Sequence, residues 1–251
     1  MNIVSLPYEG ECKVPGAKLG FINFYKDKKM ELCKGDRLIL NWDKYLKGNY
    51  IPKMRERMNE LISSDDLLVF GGNHATTAFV IAELLQKKDF PIIIFDAHND
   101  RGNVRDKYYN WNMIDYIERY ISSGILLGYR YQSEEMPLSN KLLYLNDMEM
   151  LNMENVKRKI RKEIKERQFI YISIDLDVMN PVEFPGVGYP VAGGITLVQL
   201  LICIREIFEC TSARIIVDIV EYNPIMEKEV SNNVLERLIN EILRMSERKK
   251  K

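Results

Sequence analysis

The chain has 251 residues, and its 36 basic and 36 acidic side chains give a formal net charge of zero at pH 7. Apolar residues make up 46% of it, which is enough for a sizeable core and excludes disorder as the main state. A neutral chain lacks the positive charge that nucleic acids and membrane surfaces attract. We therefore expect neither as a partner.

The N-terminal stretch has no charged region followed by a long apolar run, and no apolar run elsewhere approaches the length of a membrane span. These features predict a soluble protein of the cytoplasm. The four cysteines, Cys12, Cys33, Cys203 and Cys210, show no CxxC spacing. That pattern is typical of reduced thiols and favours neither a zinc site nor a redox motif.

Short apolar runs rich in Ile and Val alternate with amphipathic stretches, as in strands that are buried on both faces of a parallel sheet. The predicted strands are 3–6, 37–40, 67–70, 92–95, 125–127, 142–145, 169–174 and 214–219. The predicted helices are 52–63, 76–87, 153–167, 196–209 and 229–247. We expect one domain over 1–251, an α/β fold with three α/β/α layers around a mainly parallel sheet of about eight strands.

Polar side chains of the kinds that bind metals follow three of these predicted strands. Strand 92–95 leads into Asp96, His98 and Asp100, strand 169–174 into Asp175 and Asp177, and strand 67–70 into Gly71, Gly72, Asn73 and His74. Residues two apart in an extended chain share a face, and parallel strands present their carboxyl ends at one edge of the sheet. We therefore expect these side chains to converge there, including both histidines of the chain.

Four aspartates at one edge would repel one another, and some would remain protonated unless cations lay among them. Two divalent ions balance four carboxylates, whereas one does not. Carboxylate and imidazole ligands suit manganese better than zinc. Each short motif taken alone is often a structural turn. Three of them together, using every histidine, predict a site for two metal ions.

In their order along the chain, these motifs and several others resemble the ureohydrolase family, which includes arginases, agmatinases and formiminoglutamases. The matching segments are GGNH at 71–74, DAHND at 96–100, LGYR at 127–130, SIDLD at 173–177 with NP at 180–181, PGVGYPVAGG at 185–194 and DIVEYNP at 218–224. The resemblance implies an eight-stranded, mainly parallel α/β/α sandwich. Its implied ligands are His74, Asp96, Asp100 and Asp175 for one manganese ion, and Asp96, His98, Asp175 and Asp177 for the other.

The resemblance also implies an activity, the metal-assisted hydrolysis of a guanidino C–N bond in an arginine-like substrate, with urea and an amine as products. Two metal ions would activate water for attack on the guanidino carbon. Asp100 would accept a hydrogen bond from the attacking group. Glu221 would bind the guanidinium through two parallel N–H bonds.

The chain departs from the family pattern beside one ligand and in one loop. Asn73 stands where the family's GGDH motif has an acid, and we expect it to tune the surroundings of the metal. Residues 109–112 stand where many members carry a His-Gly pair, whose histidine is thought to shuttle protons in arginases. A proton for the leaving amine would then come from water, Tyr108, Tyr109 or another group.

A further departure concerns the far end of the substrate. The acid that holds the α-amine of free arginine is missing from the segment 131–133, and the loop after Asp100 is short, which should widen the mouth of the site. We predict Arg101, Asn103 and Ser133 as substrate-binding residues. The predicted substrate is an arginine side chain within a peptide or another guanidino compound.

Two other functions stay open. One is hydrolysis of agmatine, a small guanidino acid or a formimino compound, with Arg101 meeting a substrate carboxylate. The other is metal binding without turnover, which the missing histidine permits, because fold and motif do not fix activity. Deacetylases share the fold, but their usual single zinc site has a different ligand pattern. The resemblance also makes a homo-oligomer possible.

Overall fold

The computed structural model describes residues 1–28, 37–39, 50–85, 87–102, 107–130 and 138–250. Its strands are β1 Asn2–Ser5, β2 Arg37–Ile39, β3 Leu67–Phe70, β4 Phe90–Phe95, β5 Ile121–Tyr129, β6 Leu142–Asn146, β7 Phe169–Asp175 and β8 Arg214–Val220. They form one sheet in the order β2-β1-β3-β8-β7-β4-β5-β6, and every pairing is parallel. The predicted eight-stranded parallel sheet is confirmed.

Seven α-helices lie in the described parts of the chain. They are α1 Gly20–Lys28, α2 Ile51–Ser64, α3 Ala75–Phe79, α4 Met113–Ile117, α5 Met153–Ile164, α6 Leu197–Glu209 and α7 Glu229–Lys249. Short 3-10 turns occur at Ala17–Leu19, Glu149–Leu151 and Leu176–Val178. Within these ranges, no helix has the length and apolar character that crossing a membrane requires.

The sheet separates two apolar cores, which makes the predicted three layers. Successive residues of a strand point to opposite faces, so Leu68 and Phe70 of β3 join one core while Leu67 and Val69 join the other. Helices α1, α5, α6 and α7 cover the first face, and helices α2, α3 and α4 cover the second.

The structure differs from the sequence-based prediction in three of its helical segments. The single helix predicted at 76–87 is α3 followed by a π-helix, Val80–Leu85. Arg55 Nε donates to the Glu83 carbonyl oxygen at 2.9 Å, so a group outside the helix satisfies this carbonyl. Helices α1 and α4 were not predicted, because α1 is only weakly amphipathic and α4 spans barely more than one turn.

The order of the strands places four chain segments beside one another. Strand β4 follows β3 in sequence, yet β8 and β7 lie between them in the sheet. The carboxyl ends of β3, β8, β7 and β4 are therefore neighbours at the centre of the sheet. In parallel α/β sheets, this edge is where ligands bind.

Candidate metal centre and its cavity

The first group of ligand-type side chains surrounds the imidazole of His74, which follows β3. Its Nδ1 atom lies 2.8 Å from Asp100 Oδ2 and 3.1 Å from both Asp96 Oδ2 and Asp175 Oδ2. These four residues each offer one ligand atom within 4.8 Å of the others, and all are buried or nearly so. The structure thus brings together the residues that the sequence predicts for one metal ion.

A second group consists of Asp96, His98 and Asp177. His98 Nδ1 lies 2.9 Å from Asp177 Oδ2 and 3.7 Å from Asp96 Oδ1. Asp96 belongs to both groups, as a bridging ligand would. Asp175 belongs to the first group alone, and its Oδ1 accepts a hydrogen bond from the Asp177 backbone N–H at 2.9 Å. Its expected second bridge therefore stays a prediction.

Two buried atoms of the first group indicate that these residues fit a cation. His74 Nδ1 and Asp96 Oδ2 have no hydrogen-bond partner in the described part of the chain, although they lie 3.1 Å apart. Buried polar atoms are normally hydrogen-bonded, and orphaned ones require an explanation. A divalent cation between the imidazole and the carboxylates would satisfy both atoms.

A hydroxyl network behind His74 fixes which ring nitrogen faces the carboxylates. The buried Asp218 carboxylate accepts hydrogen bonds from Ser173 Oγ at 2.7 Å, Thr77 Oγ1 at 2.8 Å and Tyr171 Oη at 2.6 Å. Because Ser173 gives its proton to Asp218, it accepts from His74 Nε2 at 3.1 Å. The proton on Nε2 leaves a lone pair on Nδ1, directed at the metal site.

The roles of Tyr171 and Thr77 in this network were not predicted from the sequence. Tyr171 and Ser173 are two residues apart on β7 and therefore share a face of the sheet. That spacing is a signal in the sequence, but it does not reveal that Asp218 of β8 lies opposite. The pairing of Ser173 with Asp218 in the sheet supplies this information.

The carboxylates set the protonation of both histidines. Burial by itself would lower the pKa of His74, but the carboxylates of Asp100, Asp175 and Asp96 close to its Nδ1 raise that pKa well above its usual value. Burial would also lower the pKa of His98, but the negative charge of Asp177 raises it to about 12. When no cation is bound, protons therefore take the place of a metal among the acids.

Asp100 and Glu221 combine unusual backbone geometry with raised pKa values. Their φ angles are 32° and 67°, in the left-handed region that non-glycine residues rarely adopt and that often marks functional sites. Burial, followed by the charge of Asp96, raises the pKa of Asp100 to about 6. Burial raises the pKa of Glu221 to about 8, although its Oε1 accepts a hydrogen bond from the His74 backbone N–H at 2.9 Å.

Both groups of ligand-type side chains open onto a cavity of about 1090 Å³. Asp100, Asp175, Asp177 and Glu221 line its buried end. Lys13 and Trp111, both exposed, line its open end together with the half-buried Tyr189. The cavity thus joins the metal ligands to solvent.

The structure gives the other predicted substrate residues different surroundings. Arg101 lines the cavity, but its Nε lies 3.4 Å from Asp115 Oδ1 and its Nη2 lies 3.6 Å from Glu118 Oε2. Since two carboxylates already face its guanidinium, Arg101 is poorly placed to bind a substrate carboxylate. Asn103, Ser133 and the rest of the segment 131–133 lie outside the described residues.

Neither tyrosine proposed as a proton source is among the described residues that line the cavity. The Tyr108 hydroxyl donates to Glu83 Oε1 at 2.8 Å. The Tyr109 ring stacks on Trp111 with 4.7 Å between ring centroids. Both rings therefore serve to hold the loop that carries Trp111.

Asn73 stands where the family motif has an acid, and it has a structural role that the sequence did not reveal. Its Oδ1 accepts from the Gly10 backbone N–H and its Nδ2 donates to the Gly10 carbonyl oxygen, both at 3.0 Å. An aspartate would accept the first bond but lacks the donor for the second. Asn73 therefore fastens residues 8–16, which we call the N-terminal strap, beside the metal ligand His74.

We expect the protein to bind about two Mn²⁺ ions per chain, which measurement of the bound metal after dialysis would show. Asp177→Asn should abolish binding at one site and leave the other, because Asp177 belongs to the second group alone. Asp96→Asn should weaken both sites on the order of 100-fold or more, because Asp96 belongs to both groups. Asp89→Asn, a change at an exposed residue, is the control. Full loading of Asp96→Asn would contradict this assignment.

Mn²⁺ affinity should fall as the pH is lowered, because the metal must displace protons from His74 and His98, whose pKa values are raised. Calorimetric titration in two buffers of different ionisation enthalpy measures how many protons are released when the metal binds. We expect about one proton or more per bound ion near neutral pH. A binding heat that does not depend on the buffer would refute the prediction.

Comparison with known proteins agrees with this site. The sequence profile of the Arginase family matches residues 22–244. The chain is 24% identical to an arginase of Bacillus subtilis over 226 residues, 78% of this chain and 74% of that protein. It is 30% identical to an agmatinase of Bacillus anthracis over 190 residues, 70% of this chain and 62% of that protein.

A solved structure shows the same fold. The proclavaminate amidino hydrolase of Streptomyces clavuligerus superposes with a TM-score of 0.78 at 18% identity, covering 98% of this chain and 91% of that one. These similar proteins are thus an arginase, an agmatinase and an amidino hydrolase. Because the family profile covers most of its length, this chain belongs to the arginase family.

Proposed function

We propose that this protein is a binuclear manganese hydrolase that cleaves the guanidino C–N bond of an arginine-like substrate. Water and the guanidinium would be converted to urea and an ammonium product. The observation that carries the proposal is the placement of Glu221 in the same cavity as both groups of metal ligands. Carboxylate and imidazole donors support the choice of manganese.

Glu221 is proposed to bind the guanidinium. Its Oε1 is anchored by the His74 N–H, and its backbone N–H donates to the Gly72 carbonyl oxygen at 2.8 Å. These two bonds fix the carboxylate relative to a ligand of the first group. A fixed carboxylate can take two parallel N–H bonds from a planar guanidinium, which orients its central carbon.

Two bound divalent cations would supply Lewis-acid activation of water for attack on the guanidinium carbon. Asp100 is proposed to orient the attacking water through a hydrogen bond. Asp100 lines the cavity together with Glu221, so its carboxyl is also placed to carry a proton from water to the leaving nitrogen. This role would replace that of the missing histidine.

The cavity supports a substrate larger than free arginine. Its volume of about 1090 Å³ lies slightly above the usual range for sites that bind drug-sized ligands. Of the described residues that line it, only the three metal ligands and Glu221 carry carboxylates. None of these is available to hold a free α-ammonium group, so we propose an arginine whose α-amine is acylated, as within a peptide. Agmatine is disfavoured for the same reason, since it carries a second cationic group.

We also propose that residues 1–251 form one domain, that the protein works in the cytoplasm, and that it self-associates. The single sheet with an apolar core on each face supports the first of these proposals. Light scattering and limited proteolysis would test the first and the third.

Glu221→Gln should keep both metal ions but lower kcat/KM for urea release on the order of 100-fold or more, since the amide cannot match the charge of the carboxylate. Gln retains an oxygen for the His74 N–H, so the fold should hold. Glu209→Gln, at an exposed position on α6, is the matched control. A near-native rate for Glu221→Gln would rule out its role in binding the guanidinium.

The substrate proposal is tested by a pair of compounds that differ only at the α-amine. Urea release from N-acetyl-arginine should exceed that from free arginine on the order of 10-fold, because the described lining residues offer no further carboxylate for an α-ammonium group. Preference for free arginine would sink the proposal. Formamide from a formimino compound would favour that alternative, and bound metal with no product from any of them would favour a role without turnover.

A further inference from the structure

Lys13 is the one cavity-lining lysine among the described residues, and it lies on the N-terminal strap. The backbone N–H groups of Lys13 and Val14 both donate to Tyr189 Oη, at 2.9 and 3.0 Å. Tyr189 lines the same cavity. The strap therefore holds the base of the Lys13 side chain at a fixed point of the cavity wall.

Several other contacts hold the strap in place. Asn73 binds both polar backbone atoms of Gly10. Glu9 Oε1 accepts from the Gly16 backbone N–H at 2.7 Å. Glu11 pairs with Tyr109 in a short parallel bridge, which links the strap to the loop of Trp111. Since these contacts use the backbone or other side chains, they leave the Lys13 ammonium available.

Lys13 differs from the other cations of the cavity. Arg101 faces Asp115 and Glu118, and His98 faces Asp177. No ion pair of Lys13 occurs among the described residues. Its neighbour Lys18 does have a partner, Glu9, whose Oε2 lies 3.6 Å from its Nζ. Within the described lining, the cavity therefore combines an acidic buried end with one positive charge, at its open end, that has no ion pair.

We propose that Lys13 selects guanidino substrates that carry a carboxylate at the end opposite the guanidinium. This inference rests on the proposed function. A guanidinium at Glu221 and a carboxylate at Lys13 would match the two charged ends of the cavity, which gives selectivity by electrostatic complementarity. The chemical class is an ω-guanidino acid without a free α-amine, such as an arginine at the C-terminus of a peptide.

The test uses N-acetyl-arginine, which carries a carboxylate, and N-acetyl-argininamide, which carries a neutral amide in its place. The Mn²⁺-loaded wild type should prefer the acid about 2- to 5-fold in kcat/KM, the size expected for one ion pair near solvent. The preference should shrink as NaCl is added, because salt screens an exposed charge pair.

Three variants test whether Lys13 causes this preference for the acid over the amide. Lys13→Gln should abolish it, Lys13→Arg should retain most of it, and Lys18→Gln should leave it unchanged, because Lys18 does not line the cavity. The side chain of Lys13 is exposed, so its replacement should not disturb folding. Equal rates for the two compounds in the wild type, or an unchanged preference in Lys13→Gln, would overturn the inference.

Calorimetry separates this inference from the proposed function. If no guanidino compound yields urea, the proposed function fails. The dissociation constants of the two compounds for the Mn²⁺-loaded protein then decide the role of Lys13. Tighter binding of the acid that is lost in Lys13→Gln supports it, and equal or undetectable binding of both compounds overturns it.

Discussion

The crowding of four aspartates and two histidines at one buried sheet edge is the constraint on which the site depends. His74 Nδ1 lies within about 3.1 Å of three carboxylate oxygens, yet it has no hydrogen bond in the described structure. Such a concentration of charge is tolerable in a protein interior only if protons or cations are shared among the acids. The raised pKa values of both histidines show the proton-bound form of this balance.

The surroundings of the cluster are built to hold each ligand in one orientation. Asp218 gathers three hydroxyl groups, and one of them fixes the proton of His74 on Nε2. On the other side, the His74 backbone N–H holds Glu221. The same histidine thus connects the metal ligands to the group proposed to bind substrate. A shift of either would disturb both, because geometry at such sites must hold to within a fraction of an ångström.

The N-terminal strap extends this arrangement to the open end of the cavity. Asn73, next to His74 in sequence, fastens Gly10, and the strap then places Lys13 in the wall of the cavity. What the sequence presents as a departure from an acidic motif is therefore a contact that shapes the site. Through this contact, the Asn73 that stands in place of an acid contributes to the specificity proposed for the cavity.

The sequence by itself determined the strands, the metal-ligand candidates and the family, because apolar periodicity and short motifs are local properties of the chain. It did not reveal the order of the strands, which inserts β8 and β7 between β3 and β4, nor the π-helix after α3. Only the tertiary structure showed that Arg101 faces two acids, that Asp218 supports His74 and that Lys13 lines the cavity. These contacts join residues far apart in sequence, and packing of the whole chain, not any local pattern, decides them.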